Sequence, residues 1–224
     1  MDFNFIIDSL PRLWPGLFLT MQLSILSLIL AAMIGLPLGI LRAESQSRFA
    51  LLIIDIYVFL VRGTPILVQV YAAYFLLPML GLNLNPFWTG VVALVFNSAG
   101  YQIEIVRASL LSIDQGQREG ARSLGLPDWL TLILILLPQA FPRMLPAMAN
   151  ETSNLVKASS VLSVIAVFEL HKAANAVISQ SHKFLEMLVA QAILYVGFVV
   201  LLTQLARWLE IRQTKTSSFS LENR

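Results

Sequence analysis

The sequence predicts an all-α integral membrane protein that crosses the bilayer about five times. Of its 224 residues, 57% are hydrophobic and only 12% are charged, which is typical of chains that span membranes. Long apolar runs alternate with short polar stretches, and a helix of roughly 20 apolar residues is enough to cross a bilayer. The basic residues lie at the ends of these runs, and the net charge is only +2. This distribution favours membrane topology over a nucleic-acid surface.

The two ends of the chain frame the predicted membrane domain. Residues 1–16 are expected to form an amphipathic lead that lies on the bilayer surface. Residues 17–209 contain the spans, and residues 210–224 form a tail. The loop after the first span carries Arg42 and Arg48, and such basic residues favour the cytoplasmic side. The N-terminus is therefore predicted to lie outside the cell and the C-terminus in the cytoplasm.

Glycines and prolines predict how the first spans bend and pack. Gly35 and Gly39 lie four residues apart, which allows close helix contact, whereas Pro37 between them would instead mark a kink. Both interpretations stay open at this point. Residues 49–80 form an apolar block that is too long for one untilted helix at ~1.5 Å per residue. We therefore expect a break at residues 63–65, where the sequence is Gly-Thr-Pro.

The rest of the chain is predicted to contain three further spans. Residues 87–108 are expected to cross back inward, and residues 171–183 to form a short external loop. His171 and His182 fall in that loop without a metal-site spacing, so they are expected to be solvated. Prolines are expected to break the span that precedes the loop. These are Pro138, Pro142 and Pro146.

Three polar residues share one face of the span at residues 87–108. Asn97, Tyr101 and Glu104 are spaced i, i+4 and i+7, which places them on one side of a helix. An acid within a span is costly and usually faces an interior cavity. Glu104 is therefore predicted to contact the cationic part of a substrate. In the alternative interpretation, Glu104 lies near the inner interface and pairs with Arg107.

A polar helix–turn–helix is predicted at residues 119–138, between apolar runs. Its turn residue, Gly125, can adopt the positive φ that ends a helix. Small residues on an exposed helix let another protein approach closely, and Glu119 supplies a charged anchor. The alternative is an ordinary surface hairpin of helices. The residues predicted to form the docking surface are Glu119, Gly120, Ala121, Gly125 and Pro138.

This helix–turn–helix resembles the cytoplasmic coupling loop of ABC-importer permeases. The family's pattern is E-A-A, three residues, G, nine residues and I-x-L-P, and this chain has EGARSLGLPDWLTLILILLP. Every spacing matches, and the one departure is Gly120 in place of the second-position alanine. The two parts of the motif lie in register and are flanked by predicted spans. The whole motif is therefore far more specific than a match to its first seven residues alone.

Two further segments resemble the permeases that take up polar or basic amino acids. Residues 59–69 are FLVRGTPILVQ, similar to F-x-x-RGTP-x-x-VQ of that family. Residues 97–125 match the family words N-S-A-x-Y-x-x-E-I-x-R-x-x-x-x-S-I-x-x-G-Q-x-E-x-A-R-x-L-G. The resemblance extends over nearly the whole chain and is densest from Arg62 to Leu170.

The segment at residues 149–170 is similar to the part of the family that lines the translocation path. It contains N-E-x-x-x-L-x-K and S-V-I-x-x-x-E-L in the family's spacing, and Lys157 and Ser160 match. Ala158 stands where the family usually has aspartate, and Ser159 where it has threonine. A gate role for residue 158 is therefore not implied. The alternative is a purely structural polar seam between helices.

The resemblance implies a type I ABC-importer permease fold in the bacterial inner membrane, with a coupling loop at about residues 109–129. It implies three protein partners: a nucleotide-binding subunit that docks on residues 116–130, an extracytoplasmic solute-binding protein and a second permease subunit, identical or different. ATP and Mg²⁺ would bind to the nucleotide-binding subunit, so this chain needs no cofactor.

Several other functional classes are disfavoured by the sequence. The chain has no G-x-x-x-x-G-K-[ST] motif for ATP and no cysteine for a thiolate nucleophile or metal site. It is therefore not expected to be an enzyme, to hold a metal or to bind nucleic acid. A secondary transporter or channel for a small polar solute is the remaining alternative, although it would not need a docking surface for a partner.

Overall fold

A computed structural model describes residues 1–222 of the chain and the side chains of residues 1–205. Nine α-helices follow one another in this described part. They are α1 Phe3–Glu44, α2 Arg48–Gly63, α3 Ile66–Met79, α4 Pro86–Leu111, α5 Gln115–Ser123, α6 Asp128–Thr131, α7 Leu137–Ala158, α8 Leu170–Ser181 and α9 Phe184–Glu222. A π-helical turn joins α6 to α7, and a 3-10 helix, Ser159–Ile165, follows α7.

Five segments of the described chain can cross a membrane by length and apolarity. Four are single runs: α1, α4, Asp128–Ile165 and Phe184–Leu205. The fifth is the pair of α2 and α3, which passes the same test only when the two helices are taken together as one broken span, bent by 112°. The all-α architecture with about five spans, expected from the sequence, is confirmed. The expected break at residues 63–65 is confirmed too, because α2 ends at Gly63 and α3 begins at Ile66.

The first helix is one continuous element from Phe3 to Glu44, so the predicted lead and the start of the first span belong to the same helix. Leu13 and Leu17 lie one turn apart and are both buried, in a cluster with residues of α8 and α9. Because the end of the lead and the start of the span share this apolar face, the helix gains by continuing through both. Pro11 and Pro15 lie inside α1 without ending it.

Close packing of α1 on α4 explains the glycine pair in the first span. A Cβ atom built on Gly35 would lie 2.7 Å from the Cβ of Gln102, and one on Gly39 would lie 2.6 Å from the Cβ of Val106. Side chains larger than hydrogen therefore do not fit at either position. Of the two interpretations left open by the sequence, close helix contact accounts for these glycines.

The prolines of the next-to-last span do not break it, contrary to expectation. Residues Asp128–Ile165 run continuously as α6, a π-helical turn, α7 and the 3-10 helix. The π-helical turn, Leu132–Leu136, directly precedes α7, and Pro138 falls in the first turn of α7. Pro142 and Pro146 lie within α7.

The predicted external loop at residues 171–183 is instead mostly helix α8. Glu169 caps this helix, because its carboxylate accepts hydrogen bonds from the N–H groups of His171 and Lys172, both at 2.8 Å. Four buried residues at helical spacing then hold α8 on the core; they are Leu170, Ala173, Ala174 and Val177. His171 is not simply solvated, since its Nδ1 lies 2.9 Å from Gln191 Oε1.

Candidate functional site

The break between α2 and α3 is held by one buried glutamine. Gln69 is 7% exposed, and its Nε2 donates to the carbonyl oxygen of Val61 at 2.9 Å and to that of Thr64 at 3.1 Å. These carbonyls lose their helical partners at the break, so the glutamine replaces bonds that the backbone cannot make. The other end of the amide, Gln69 Oε1, accepts a hydrogen bond of 3.0 Å from Asn97 of α4. The break and α4 are therefore fixed to each other.

A cavity of about 520 Å³ lies where this break meets α4 and α7. Of the residues predicted for the substrate path, Asn97 and Tyr101 line it. Its wall also includes Arg62, Glu151 and Asn154. The cavity thus combines one cationic group, one carboxylate, and amide and phenol groups. Such a set of groups can bind a small solute that carries charges of both signs.

Glu151 is the site residue that the sequence analysis did not single out. It is 6% exposed, and its Oε1 accepts a hydrogen bond of 2.6 Å from Ser98 Oγ. Gln102 in turn donates to Ser98 Oγ at 3.2 Å. An acid within an apolar span was the available signal, since Glu151 lies in the N-E pair of the segment that resembles the translocation path.

Glu104 lies beside this cavity, in a cluster of ion pairs rather than in its wall. Its carboxylate is paired with Arg42 of α1, with Arg62 of α2 at 3.4 Å and with Arg107 of α4 at 3.4 Å. Arg42 also binds Asp55 at 2.7 Å. The pairing with Arg107 that the sequence allowed is therefore present, together with two arginines from other helices. Arg42 and Arg62, with the two acids, border a second cavity of about 570 Å³, which shares Arg62 and Gly63 with the first.

The structure does not bring Lys157 and Ser160 into the cavity with Asn97 and Tyr101. Lys157 is exposed near the end of α7, and Ser160 is the second residue of the 3-10 helix, where its hydroxyl donates to the carbonyl oxygen of Lys157 at 2.7 Å. Ala158 between them does line the cavity. The wall at this position is thus a methyl group, where the resembled family usually has a carboxylate.

The predicted docking surface is a sharp turn between α5 and α6. Gly125 has a φ of +76°, in the left-handed region that favours glycine, and this turn exposes Glu119 and Gly120. Ala121 is only 2% exposed, which corrects its placement on the docking surface: it packs inward and supports the turn. Pro138 is also exposed, but it lies in α7 and not in the turn itself.

Polar contacts join helix α5 and its flanks to the membrane helices. Arg118 makes two hydrogen bonds with Glu44 at the end of α1, at 2.7 and 2.5 Å. Hydrogen bonding to Glu44 raises the pKa of the Arg118 guanidinium above its ordinary value. Gln117 accepts from the Gln139 side chain of α7 at 3.1 Å. A displacement of α5 would therefore change its contacts with α1 and α7 directly.

Comparisons with known proteins agree with this arrangement. The family model described as "binding-protein-dependent transport system inner membrane component" matches residues 35–215. The chain is 35% identical over 211 residues to the arginine transport system permease protein ArtQ of Bacillus subtilis, covering 94% of this chain and 96% of ArtQ. It is 36% identical over 216 residues to the glutamine transport system permease protein GlnP of Escherichia coli K12, covering 94% and 97%.

Solved structures show the same fold. A crystal structure of an amino acid ABC transporter with histidines aligns with a TM-score of 0.86 at 32% identity, covering 95% of this chain and 99% of that one. An inward-facing structure of the methionine ABC transporter MetNI has a TM-score of 0.75 at 19% identity, covering 92% and 98%, and bears on the fold alone. The resemblance to amino-acid ABC permeases and the type I fold, both stated from the sequence, are confirmed. The chain belongs to the family of inner membrane components of binding-protein-dependent transport systems.

Proposed function

We propose that this permease subunit imports amino acids, and that the solute passes through the cavity between the α2–α3 break, α4 and α7. The observation that carries the proposal is the cavity wall, which presents an arginine, a glutamate and neutral polar groups within an apolar bundle. An amino acid carries an ammonium and a carboxylate group on the same carbon atom. The glutamate of the wall can therefore pair with the ammonium group and the arginine with the carboxylate. The names of the relatives at 35% and 36% identity, an arginine and a glutamine permease, support the same substrate class.

The path proposed from the sequence keeps its members in a revised arrangement. Asn97 and Tyr101 contact the solute in the cavity. Glu104 lies in the neighbouring ion-pair cluster, where its charge influences a solute in the path. Lys157 and Ser160 lie farther along the chain of α7 and its 3-10 extension, where they border the path before or after the cavity. Residues 17–209 form the permease domain in this proposal, with a cytoplasmic tail at residues 210–224.

The turn between α5 and α6 is proposed to receive the ATPase subunit, which binds ATP and Mg²⁺. Glu119 and Gly120 are exposed there, and Leu124 is 81% exposed. A large apolar side chain beside a charge on a surface outside the spans suits a protein interface. A solute-binding protein would deliver the amino acid on the opposite side. A second permease subunit, either identical or a sister chain, would complete the path.

Reconstitution tests this function against the alternative of a secondary transporter or channel. The complex of this chain, its ATPase subunit and its solute-binding protein is placed in liposomes with radiolabelled L-arginine or L-glutamine. We expect uptake that requires ATP hydrolysis and the binding protein. Uptake that follows an ion gradient, or equilibrates without ATP, would instead establish the alternative.

Cysteine labelling tests the proposed orientation, in which the N-terminus lies outside and the C-terminus inside. Because the chain has no cysteine, Gln46→Cys provides a single thiol in the exposed loop after α1. We expect a membrane-impermeant maleimide to leave this thiol unlabelled in intact cells and to label it after lysis. Asn83→Cys, in the exposed loop between α3 and α4, is the control that should react in intact cells. The reverse pattern would overturn the topology.

Glu104→Gln is expected to reduce uptake of L-arginine more than uptake of L-glutamine. The carboxylate balances Arg42, Arg62 and Arg107, so its loss leaves excess positive charge beside the path. A basic side chain would meet stronger repulsion from these arginines, whereas a neutral side chain would not. Uptake of the two amino acids by reconstituted complexes gives the ratio. Unchanged uptake of both would contradict the assignment, and failure to assemble would indicate a structural role.

A further inference from the structure

The last turn of α1 carries two charged side chains that leave the helix on opposite sides. Arg42 and Glu44 are separated by one residue, and an α-helix turns by about 100° per residue, so the two side chains start in nearly opposite directions. Helix α1 ends at Glu44, where the N–H of Ser45 donates to the carbonyl oxygen of Leu41 at 2.8 Å. Both charges therefore lie on a completed helical turn, and each reaches a different neighbour.

Glu44 reaches helix α5. Its carboxylate accepts two hydrogen bonds from the guanidinium of Arg118, at 2.7 Å from Nη1 and at 2.5 Å from Nη2. Two parallel bonds of this kind fix the orientation of the two groups as well as their distance. The side chains of Glu44 and Arg118 are 24% and 29% exposed, whereas those of Asp128 and Arg122 in the turn are 75% and 67% exposed. The ion pair between α5 and α1 is therefore less weakened by solvent than the ion pair within the turn.

Arg42 reaches the ion-pair cluster between α2 and α4. Its guanidinium is paired with Glu104 of α4 and, at 2.7 Å, with Asp55 of α2. The side chain of Arg42 is only 15% exposed, and it borders the cavity of about 570 Å³ together with both acids. The end of α1 thus joins α5 on one side to α2 and α4 on the other.

Close packing limits how far the end of α1 can move on its own. Gly39, in the same end of the helix, lies so close to α4 that a Cβ atom built on it would be 2.6 Å from the Cβ of Val106. Close-packed helices have no free space in which to absorb a displacement. The hydrogen bond between α5 and α7 is weaker, since it joins the neutral side chains of Gln117 and Gln139 at 3.1 Å. A movement of α5 therefore reaches α1 through the stronger polar contact.

We propose that the last turn of α1 links α5 to the ion-pair cluster of Glu104, with Glu44 and Arg118 as the positioning residues of this link. The inference rests on the proposed docking of the ATPase subunit at the turn between α5 and α6. It deepens that proposal by naming the contact through which the membrane helices respond. When the ATPase subunit moves α5, Arg118 moves Glu44 with it, and Arg42 shifts relative to its two acids. The ion pairs that border the second cavity then rearrange in step with ATP hydrolysis.

The complex of permease, ATPase subunit and solute-binding protein in liposomes tests this link. The quantity measured is the number of L-arginine or L-glutamine molecules imported per ATP hydrolysed. Glu44→Gln and Arg118→Gln are each expected to lower this ratio roughly 10-fold or more, because each removes a charge-assisted contact. In Glu44→Gln, ATPase activity stimulated by the binding protein should stay within about twofold of the wild type, since Glu44 lies outside the proposed docking surface. Equal losses of uptake and ATPase activity would show a structural role and overturn the proposal.

A double-mutant cycle tests whether the two residues act through each other. The variant with both Glu44→Gln and Arg118→Gln should lose no more of the ratio than either single variant, because the contact is already absent in each. Losses that multiply would overturn the pairing. Glu44→Gln should likewise have no further effect in a complex that already carries Arg42→Gln. A full additional loss there would show that the link does not run through Arg42.

Lys183→Gln is the matched control, because it removes an ion pair at the opposite end of α1. Lys183 Nζ lies 3.6 Å from the carboxylate of Asp2, which caps the start of the helix. This variant should keep the wild-type ratio of uptake to ATP hydrolysis, and a loss as large as that of Glu44→Gln would overturn the proposal. If the glutamine variants do not assemble, Arg118→Lys decides. It keeps the charge but not the two parallel bonds, so a wild-type ratio in this variant would contradict the link.

The same measurements separate this inference from the proposed function. A wild-type complex whose uptake does not require ATP contradicts the proposed function and the inference with it. ATP-driven uptake by the wild type, with an unchanged ratio in Glu44→Gln, contradicts only the link through α1. ATP-driven uptake that becomes uncoupled in Glu44→Gln and in Arg118→Gln, but not in Lys183→Gln, supports both.

Discussion

Glu119→Arg is expected to abolish ATP-driven transport while the permease still inserts and folds. Glu119 is exposed on α5, and no ion pair involving it is present among the described residues. Its charge is therefore free to face a partner, and reversal would place a positive charge where the partner otherwise meets a negative one. Like charges brought together across an interface cost several kcal/mol. Transport by the assembled complex should fall to background.

Co-purification with the ATPase subunit and ATPase activity in the presence of the binding protein measure this loss. Asp8→Arg is the matched control, because it reverses an exposed acid near the other end of the chain and should leave both quantities unchanged. Gly125→Asp is a companion change: with φ at +76° and open space around its Cβ, it strains the turn without a clash. Wild-type levels of both quantities in Glu119→Arg would show that α5 is not the docking surface.

The turn at Gly125 and the α2–α3 break could be predicted because each is decided by neighbouring residues. Gly125 provides the left-handed conformation of the turn, and Gly63, Thr64 and Pro65 interrupt the apolar block where the helix in fact ends. Local backbone chemistry of this kind is present in the sequence itself. Gln69 could be quoted as part of a family word, but its role in satisfying the break depends on the fold.

The charged site could be predicted only in part, because its pairings join distant segments. The i, i+3 pair of Glu104 with Arg107 follows from helix geometry, whereas Arg42 is 62 residues away and reaches Glu104 from another helix. Glu151 and Ser98 are 53 residues apart. A pattern of spacing along one helix carries no information on such contacts, so the sequence points to Glu104 and not to Glu151.

The errors in the helix boundaries also have a physical cause. Helix α8 carries polar residues that suggest an external loop, yet burial of a narrow apolar stripe and the cap formed by Glu169 stabilise it as a helix. The prolines at 142 and 146 lie within α7 because packed neighbours in a membrane protein can compensate for the missing N–H groups. Tertiary packing overrides local propensity in both cases.

Gly39→Leu is expected to prevent stable folding of the permease, because it acts where α1 crosses α4. A Cβ at this position would lie 2.6 Å from the Cβ of Val106 and 2.9 Å from the carbonyl oxygen of Ile103. The carbonyl belongs to a helix backbone and does not rotate away as a flexible side chain would. The two helices would have to separate, which removes the van der Waals contacts that associate helices in a bilayer. Overpacking of this kind costs about 3 kcal/mol or more.

Thermal unfolding in detergent, followed by size-exclusion chromatography, measures this effect. Gly197→Leu is the matched control, since it introduces the same side chain within α9 at a position with nothing within 4 Å of the new Cβ. Gly39→Ala should show an intermediate loss, because its Cβ alone is already too close to Val106. A graded loss from glycine to alanine to leucine at residue 39, without a loss at residue 197, would assign the effect to the helix crossing. Equal melting temperatures for Gly39→Leu and Gly197→Leu would mean that α1 and α4 do not need this contact.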